Sequence, residues 1–352
     1  MESPHPHPVR GIRMTSTDKV SDAASISRLN TAYAEARILH SASEIGLFDF
    51  LADRSATRAE ICEGLGLHPR LLRDFLAAAA ALGLVEHGGD EYRNTPAARR
   101  FLVPGGEVYL GGRVKSTARR HYHTWGRLTE ALRGGEPQAD MGGDAFARLY
   151  ADRGAARDFL VHMDANNAQV AMQITELMSW SERGSFVDVG GARGNVAAHL
   201  VKRWPKLRGG VFELPAVEPF FDELMAEEGV ADRVVFHPGD FFADPLPEAD
   251  VLMFGHVLHD WSAEKRHELL RRTFDVVRPG GAVVIYDQML DDEDPDLRSL
   301  IGSLNVALIT PGGSEYTVEE CRVLLEKTGF RFASATRLPR GNDTVVVGTK
   351  DA

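Results

Sequence analysis

The feature that most constrains this chain is an alternation of strand-like and helix-like segments that starts at Phe186 and continues to residue 348. Short runs rich in β-branched and aromatic residues, at 186–189, 210–214, 233–237, 250–254 and 282–287, are separated by stretches with room for a helix. Such alternation predicts an α/β doubly wound sheet, in which crossover helices return successive strands in parallel. The last two runs, 332–338 and 344–348, have only Pro339-Arg340-Gly341-Asn342-Asp343 between them. That gap cannot hold a parallel crossover, so a mostly parallel, Rossmann-like domain over 181–352 is predicted to end in an antiparallel hairpin.

Upstream the pattern changes. At 352 residues the chain is longer than one domain usually is. Residues 1–20 read as a tail with charge and proline but no apolar stretch of a secretory signal. Between 21 and 105, Thr57 followed three residues on by Glu60 fits a capping box, and a second helix is expected over 69–81, stopped by Gly83. Leu84-Val85-Glu86 and Glu91-Tyr92-Arg93-Asn94 then pair as a hairpin across Gly88-Gly89, which completes the outline of a winged helix. Residues 106–180 read as mostly helical and rich in aromatic side chains, with Trp125 expected in the core. Phe159, Met163, Asn166, Val170 and Ile174 share one helical stripe there, with Asn167 beside it. A net charge of −11 argues against nucleic acid or an anionic membrane as a partner. No apolar run approaches the ~18 residues of a membrane span. Cys62 and Cys321 have no CxxC context and read as idle thiols of a reducing cytoplasm.

The first strand of the alternating region delivers Asp188-Val189-Gly190-Gly191-Ala192-Arg193-Gly194 into a helix. Glycines at such a turn let a ligand approach the backbone. A dinucleotide site would need G-x-G-x-x-G, but its second and third glycines are here Ala192 and Asn195, and no P-loop is present. Asp188 would repel phosphate and suits an amine or a sulfonium instead. At the end of the second strand Glu213, followed by Leu214, can hold both ribose hydroxyls. After the third, Asp240 with Phe241 and Phe242 suits an adenine, which stacks while its amine finds an acceptor. Each acid alone reads equally well as a cap or surface group. In order at three strand ends they describe a ribonucleoside site without phosphate, which points to S-adenosylmethionine (SAM).

After the fourth strand comes Gly255-His256-Val257-Leu258-His259-Asp260-Trp261-Ser262. A phenol has pKa ~10, so only about one molecule in a thousand is ionised at neutral pH, a deficit of ~4 kcal/mol. His259, at a strand's carboxyl end, can take that proton as general base. Its far nitrogen needs an orienting carboxylate, and Asp287 and Glu315, both read as lying at neighbouring strand ends, can supply it. Asp260 reads equally as the cap of a helix starting at Ser262. His256 and His259 lack a third ligand of convincing spacing, so no metal is expected and His256 reads as a pocket wall. The cofactor residues expected are thus Asp188, Gly190, Gly191, Gly194, Glu213, Leu214, Asp240, Phe241, Phe242, Gly255, His256 and Trp261. Met163, Asn166, Asn167 and Asn305 are expected to face the acceptor.

Val187-Asp188-Val189-Gly190-Gly191, Phe212-Glu213-Leu214-Pro215, Gly239-Asp240-Phe241-Phe242, His259-Asp260-Trp261 and Gly312-Gly313-Ser314-Glu315 together resemble the caffeate/acetylserotonin O-methyltransferase family. That family includes bacterial enzymes of antibiotic biosynthesis, and the resemblance extends from about residue 25 onward. It implies a winged-helix-like N-terminal domain that makes an intertwined homodimer, and a class I methyltransferase domain that binds SAM without a metal. It also implies His259 as base flanked by Asp287 and Glu315, Met163 at the methyl-transfer site, and Asp188, Glu213 and Asp240 on SAM. The reaction implied is methyl transfer to a hydroxyl of a small phenol-like molecule. C-methylation of a phenolic ring with the same base is the alternative. Three departures stand out: the family's usual Gly-Gly-Gly-Thr-Gly reads Gly190-Gly191-Ala192-Arg193-Gly194, the lysine common four residues before the base in plant members is Gly255, and a flanking acid usually seen as Glu is Asp287. Two rival functions remain. A DNA-binding regulator fits the winged helix, although His68-Pro69-Arg70-Leu71-Leu72-Arg73-Asp74 with its alanine run reads as a packing surface. A SAM-binding relative that does not methylate is opposed by the presence of His259 and its acids.

Overall fold

The computed structural model describes residues 20–105, 109–139 and 145–352, so the expected tail lies almost wholly outside the described residues. The chain divides into two units, 1–120 and 121–352. In the first, the elements are α1 (Ala23–Glu44), α2 (Leu47–Phe50), β1 (Ala56–Thr57), α3 (Arg58–Gly64), α4 (Pro69–Ala81), β2 (Val85–Gly88), β3 (Glu91–Asn94), α5 (Pro96–Leu102) and α6 (Gly111–Ser116). Thr57 and Glu60 form the predicted reciprocal capping box. Thr57 also closes a two-residue strand, because Ala56 pairs with Tyr92 and makes the hairpin a three-stranded antiparallel sheet in the order β1-β3-β2. α4 buries Leu72, Leu76 and Ala79 against Leu47, Phe48, Ile61 and Val85, which is the packing role its composition foretold. On its outer side Arg73 is paired with the neighbouring Asp74.

The second unit begins with α7 (Tyr122–Trp125), α8 (Leu128–Gly134), α9 (Ala145–Ala151) and α10 (Arg153–Ile174). There follow β4 (Ser185–Val189), α11 (Asn195–Arg203), β5 (Arg208–Glu213), α12 (Glu218–Glu228), β6 (Val234–Pro238), β7 (Ala249–Gly255), α13 (Ala263–Val276), β8 (Val277–Asp287), α14 (Leu297–Ile309), α15 (Val318–Thr328), β9 (Arg331–Arg337) and β10 (Thr344–Thr349). The seven strands lie in the order β6-β5-β4-β7-β8-β10-β9. β4 to β8 run parallel, and β10 is antiparallel to both of its neighbours, as the short gap required. One apolar layer packs Trp180, Leu200, Phe221 and Met225 against the sheet; the other packs Leu258, Leu269, Leu270, Tyr316 and Leu325. The strand order reverses between β4 and β7, and a crevice at the carboxyl ends of such a pair is where open α/β sheets take ligands. Among the described residues no helix is long and apolar enough to cross a membrane.

Candidate active site

Asp188, on β4, is 1% exposed, and neither of its carboxylate oxygens has a hydrogen-bond partner. Burial pushes its pKa up to about 7. Glu213 ends β5, accepts the Leu214 N–H at 3.0 Å, and is also pushed up to about 7, by burial first and then by the charge of Asp188. Unpaired buried carboxylates are costly. One without any partner and one with a single backbone donor, on adjacent strands, fit a ligand that brings a cation and hydroxyl donors, as SAM does. The glycine loop closes tightly over this acid: a Cβ on Gly191 would stand 2.7 Å from the Asp188 carboxyl carbon. Gly190 and Gly194 take φ of +72° and +87°, with Gly194 at the N-terminus of α11. Ala192, where the family commonly has glycine, also takes a left-handed φ of +49°, a strain of about 1 kcal/mol. Arg193 pairs with Asp164 of α10, and the Asn195 amide donates to the Asp164 carbonyl at 3.1 Å.

Asp240 behaves differently from the other two rim acids. It is exposed, two residues past β6, and its carboxylate accepts the Phe242 N–H at 2.8 Å in a local turn. The capping reading considered for each acid therefore describes part of what Asp240 does. Phe241, Phe242 and Trp261 form a T-shaped aromatic cluster with ring centroids 4.7 to 5.9 Å apart.

His259 sits on the single helical turn Leu258–Asp260 that follows β7. Its Nδ1 is 2.8 Å from Glu315 Oε1 and 3.7 Å from Asp287 Oδ1, while Asp260 Oδ1 is 3.7 Å from Nε2. Asp287 ends β8 as expected. Glu315 is not at a strand end; it lies in the loop between α14 and α15, where its N–H donates to Ser303 Oγ at 3.2 Å. That loop approaches the histidine turn so closely that a Cβ on Gly313 would stand 2.5 Å from the His259 carbonyl oxygen. Nor is Asp260 the helix cap considered from sequence: Ser262 caps α13, accepting the Lys265 N–H. The shorter Asp287 stops short of the imidazole and instead accepts the Tyr316 hydroxyl at 2.5 Å. Burial alone would lower the pKa of His259, but Asp287, Asp260 and the hydrogen-bonded Glu315 outweigh it and push it up to about 10. Burial raises Glu315, and the imidazole charge more than reverses this, holding its carboxyl below the usual range.

His256, at φ +53°, directs Nε2 toward Asp343 Oδ1 at 3.3 Å, and its ring centroid is 5.7 Å from that of His259. Burial lowers its pKa, with Asp343 opposing. His256, His259 and Asp287 offer ligand atoms within 4.8 Å of one another, so the third ligand that spacing did not reveal is Asp287. Glu315 and Tyr316 already engage His259 Nδ1 and Asp287 Oδ2, however, and this donor set serves proton transfer better than a tetrahedral cage. Gly255 has a steric reason: a Cβ there would fall inside the Tyr286 ring, so the lysine of plant relatives has no room.

Met163, on α10, packs with Phe159, Tyr150, Ala192 and Leu214, beside the glycine loop. Asn167 is buried with its Oδ1 unpaired. The side chain of Asn166 lies outside the described residues. Trp125, expected in the core, is only half-buried, and its indole N–H donates to Asn305 Oδ1 at 3.2 Å. Tyr150 escaped sequence reasoning: it is buried near Glu213, whose charge adds to burial in raising its hydroxyl pKa. Its one sequence signal was the aromatic content of 106–180. Asp260, Tyr316 and Asp343 were equally invisible as members of one cluster.

A family model described as the O-methyltransferase domain matches residues 125–331, and one described as the O-methyltransferase dimerisation domain matches residues 27–104. The chain is 45% identical over 339 residues to the tetracenomycin polyketide synthesis 8-O-methyl transferase TcmO of Streptomyces glaucescens, covering 96% of this chain and 99% of that one. It is 44% identical over 322 residues to the N,N-dimethyltransferase OxyT of Streptomyces rimosus, covering 91% and 94%. Among solved structures it is similar to human N-acetylserotonin methyltransferase in complex with SAM, with a TM-score of 0.83, 25% identity, and coverage of 95% and 99%.

Proposed function

The chain belongs to the O-methyltransferase family, and on that premise we propose that it transfers the methyl group of SAM to a phenol-type hydroxyl of an aromatic, polyketide-like acceptor, with His259 as general base. SAM, when bound, supplies an electrophilic methyl group on a cationic sulfur. Asp188 and Glu213 hold its charged and ribose parts, Gly190, Gly191 and Gly194 let it approach the backbone, and Phe241, Phe242 and Trp261 flank its adenine. Leu214, Gly255, His256 and Asp240 complete that wall. Met163, Asn167 and Asn305 face the acceptor.

The observation that carries this reading is the 2.8 Å contact between His259 Nδ1 and Glu315, set beside the unpaired Asp188. With Nδ1 committed to Glu315, Nε2 is the nitrogen left to receive the acceptor proton. A base with pKa about 10 is matched to a phenol of pKa ~10, so the proton moves between them with little free-energy change. As the oxygen–carbon bond forms and the sulfur–carbon bond breaks, the proton rests on Nε2 and then leaves to water. The matching has a cost: at neutral pH the free imidazole is protonated, so turnover must rise with pH. His259→Gln is expected to lose roughly two or more orders of magnitude in turnover with labelled SAM while its Kd for SAM stays within a few fold. Full turnover in that variant would sink the assignment.

A second reading is N-methylation. One relative of near-equal identity is named as an N,N-dimethyltransferase, and Asp260, Asp287, Glu315 and Asp343 surround the two histidines with negative charge that suits an amine. Product mass and NMR on phenol and arylamine acceptors separate O-, N- and C-methyl products. The active form we propose is a homodimer. Ile26, Leu29 and Tyr33 stand exposed at helical spacing on α1, in or beside the matched dimerisation segment.

A further inference from the structure

We propose that Arg266 is a positioning residue for the base, its single buried guanidinium fixing the turn that carries His259 to the loop that carries Glu315. The proposal rests on the reading of His259 as base.

Arg266 lies in the first turns of α13, in the run Glu264-Lys265-Arg266-His267-Glu268 that would ordinarily face water. It is nevertheless only 6% exposed. Its Nε donates to the Leu258 carbonyl at 2.9 Å, and its Nη2 donates to the Ser314 carbonyl at 2.6 Å and lies 3.5 Å from the His259 carbonyl. The two segments are also joined directly, by the Ser314 N–H donating to the His259 carbonyl at 2.9 Å. The guanidinium carbon stands 4.4 Å over the Tyr316 ring, whose hydroxyl is the one that engages Asp287. One side chain thus touches the backbone on both sides of the His259–Glu315 hydrogen bond and the residue that holds the second acid.

The chemistry explains why an arginine is needed. A planar fork of fixed donors can hold two carbonyls from different segments at once and stack on a ring, which a lysine ammonium cannot do. Its charge also draws Asp260 and Glu315 toward their ionised forms. Displacing a reacting group by about 1 Å costs on the order of 100-fold in rate, so loss of this clamp reaches the chemistry although Arg266 touches no substrate.

The test compares wild type, Arg266→Met, Arg266→Lys, His259→Gln and the double variant His259→Gln/Arg266→Met, measuring kcat, KM for the acceptor, Kd for SAM and the pH profile. Arg266→Met is expected to lower kcat about 10- to 100-fold, leave Kd for SAM within about twofold, and move the acidic limb of kcat/KM. Arg266→Lys restores part of kcat, since one ammonium satisfies one carbonyl. In the His259→Gln background, removal of Arg266 costs less than about threefold more, because the group it positions is already gone. A kcat within twofold of wild type in Arg266→Met, or an equal loss with and without His259, overturns the proposal. His259→Gln alone judges the base reading, so the two failures are distinct. Should Arg266→Met not fold, Arg266→Lys decides: wild-type kcat there means the fork is not required.

Discussion

Two groups of carboxylates near the sheet's upper edge differ in whether a cation of the protein stands among them. At the ends of β4 and β5, Asp188 and Glu213 are buried and face each other's charge; Asp188 has no partner at all and Glu213 only one backbone N–H. Beyond β7 and β8, Glu315, Asp287 and Asp260 surround an imidazole and are tied to it or to Tyr316. Burial is opposed by no cation in the first group, while in the second it is opposed by the His259 imidazole. Their pH linkage has the same sign but falls in different windows. His259 has a folded pKa raised to about 10, so its contribution to stability is full below its ordinary value of 6.5 and is lost only as pH rises through about 10. Asp188 and Glu213 have pKa values raised to about 7 from 3.8 and 4.5, so ligand-free stability is lost as pH climbs from about 4 to 7 and the two groups ionise.

The largest expected effect that tests this contrast is on turnover. Glu315→Gln should lower kcat by about 10- to 100-fold, with SAM affinity unchanged by calorimetry. A matching loss of SAM affinity would show that the two groups are not separate. Asp188→Asn should do the reverse, weakening SAM about tenfold or more while raising the thermal midpoint of the ligand-free protein, since an unpaired buried charge is removed. If the variant is less stable without ligand, Asp188 has a protein partner after all. Next in size is pH. Thermal stabilisation by saturating SAM should be greater at pH 8 than at pH 5.5, and kcat/KM should rise from pH 6 toward 9. A flat kcat/KM profile would contradict a base held in its protonated form. The smallest effect concerns the loop itself: Ala192→Gly should raise stability by no more than about 1 kcal/mol and leave kcat alone, because relief at a positive φ is partly offset by a freer unfolded chain.

Legibility in the sequence divides along similar lines. The sheet, its antiparallel end and the α4 helix followed from period, gap length and caps, all of which are local. Asp188 and Glu213 were visible because a strand end is a place that sequence can locate. What stayed hidden depends on long-range contact. Ala56–Thr57 is a strand only because β3 comes beside it, and Glu315 reaches His259 from a loop rather than a strand end, through an approach that spans residues far apart in sequence. Arg266 had the look of a solvated helix cation, and Asp343 that of a hairpin residue, until the fold brought each to a histidine or its carbonyl.

The placement of β10 also has a consequence for synthesis. Because β10 lies between β8 and β9, the edge of β8 has no permanent neighbour until residues 344–349 have left the ribosome. A nascent or clipped chain ending near Arg337 therefore presents an open, apolar β-edge running from Ala282 to Asp287, a template for pairing with another copy. Chaperone dependence and inclusion-body formation should accordingly be governed by how promptly that hairpin folds back, and far less by the helical segments made before it.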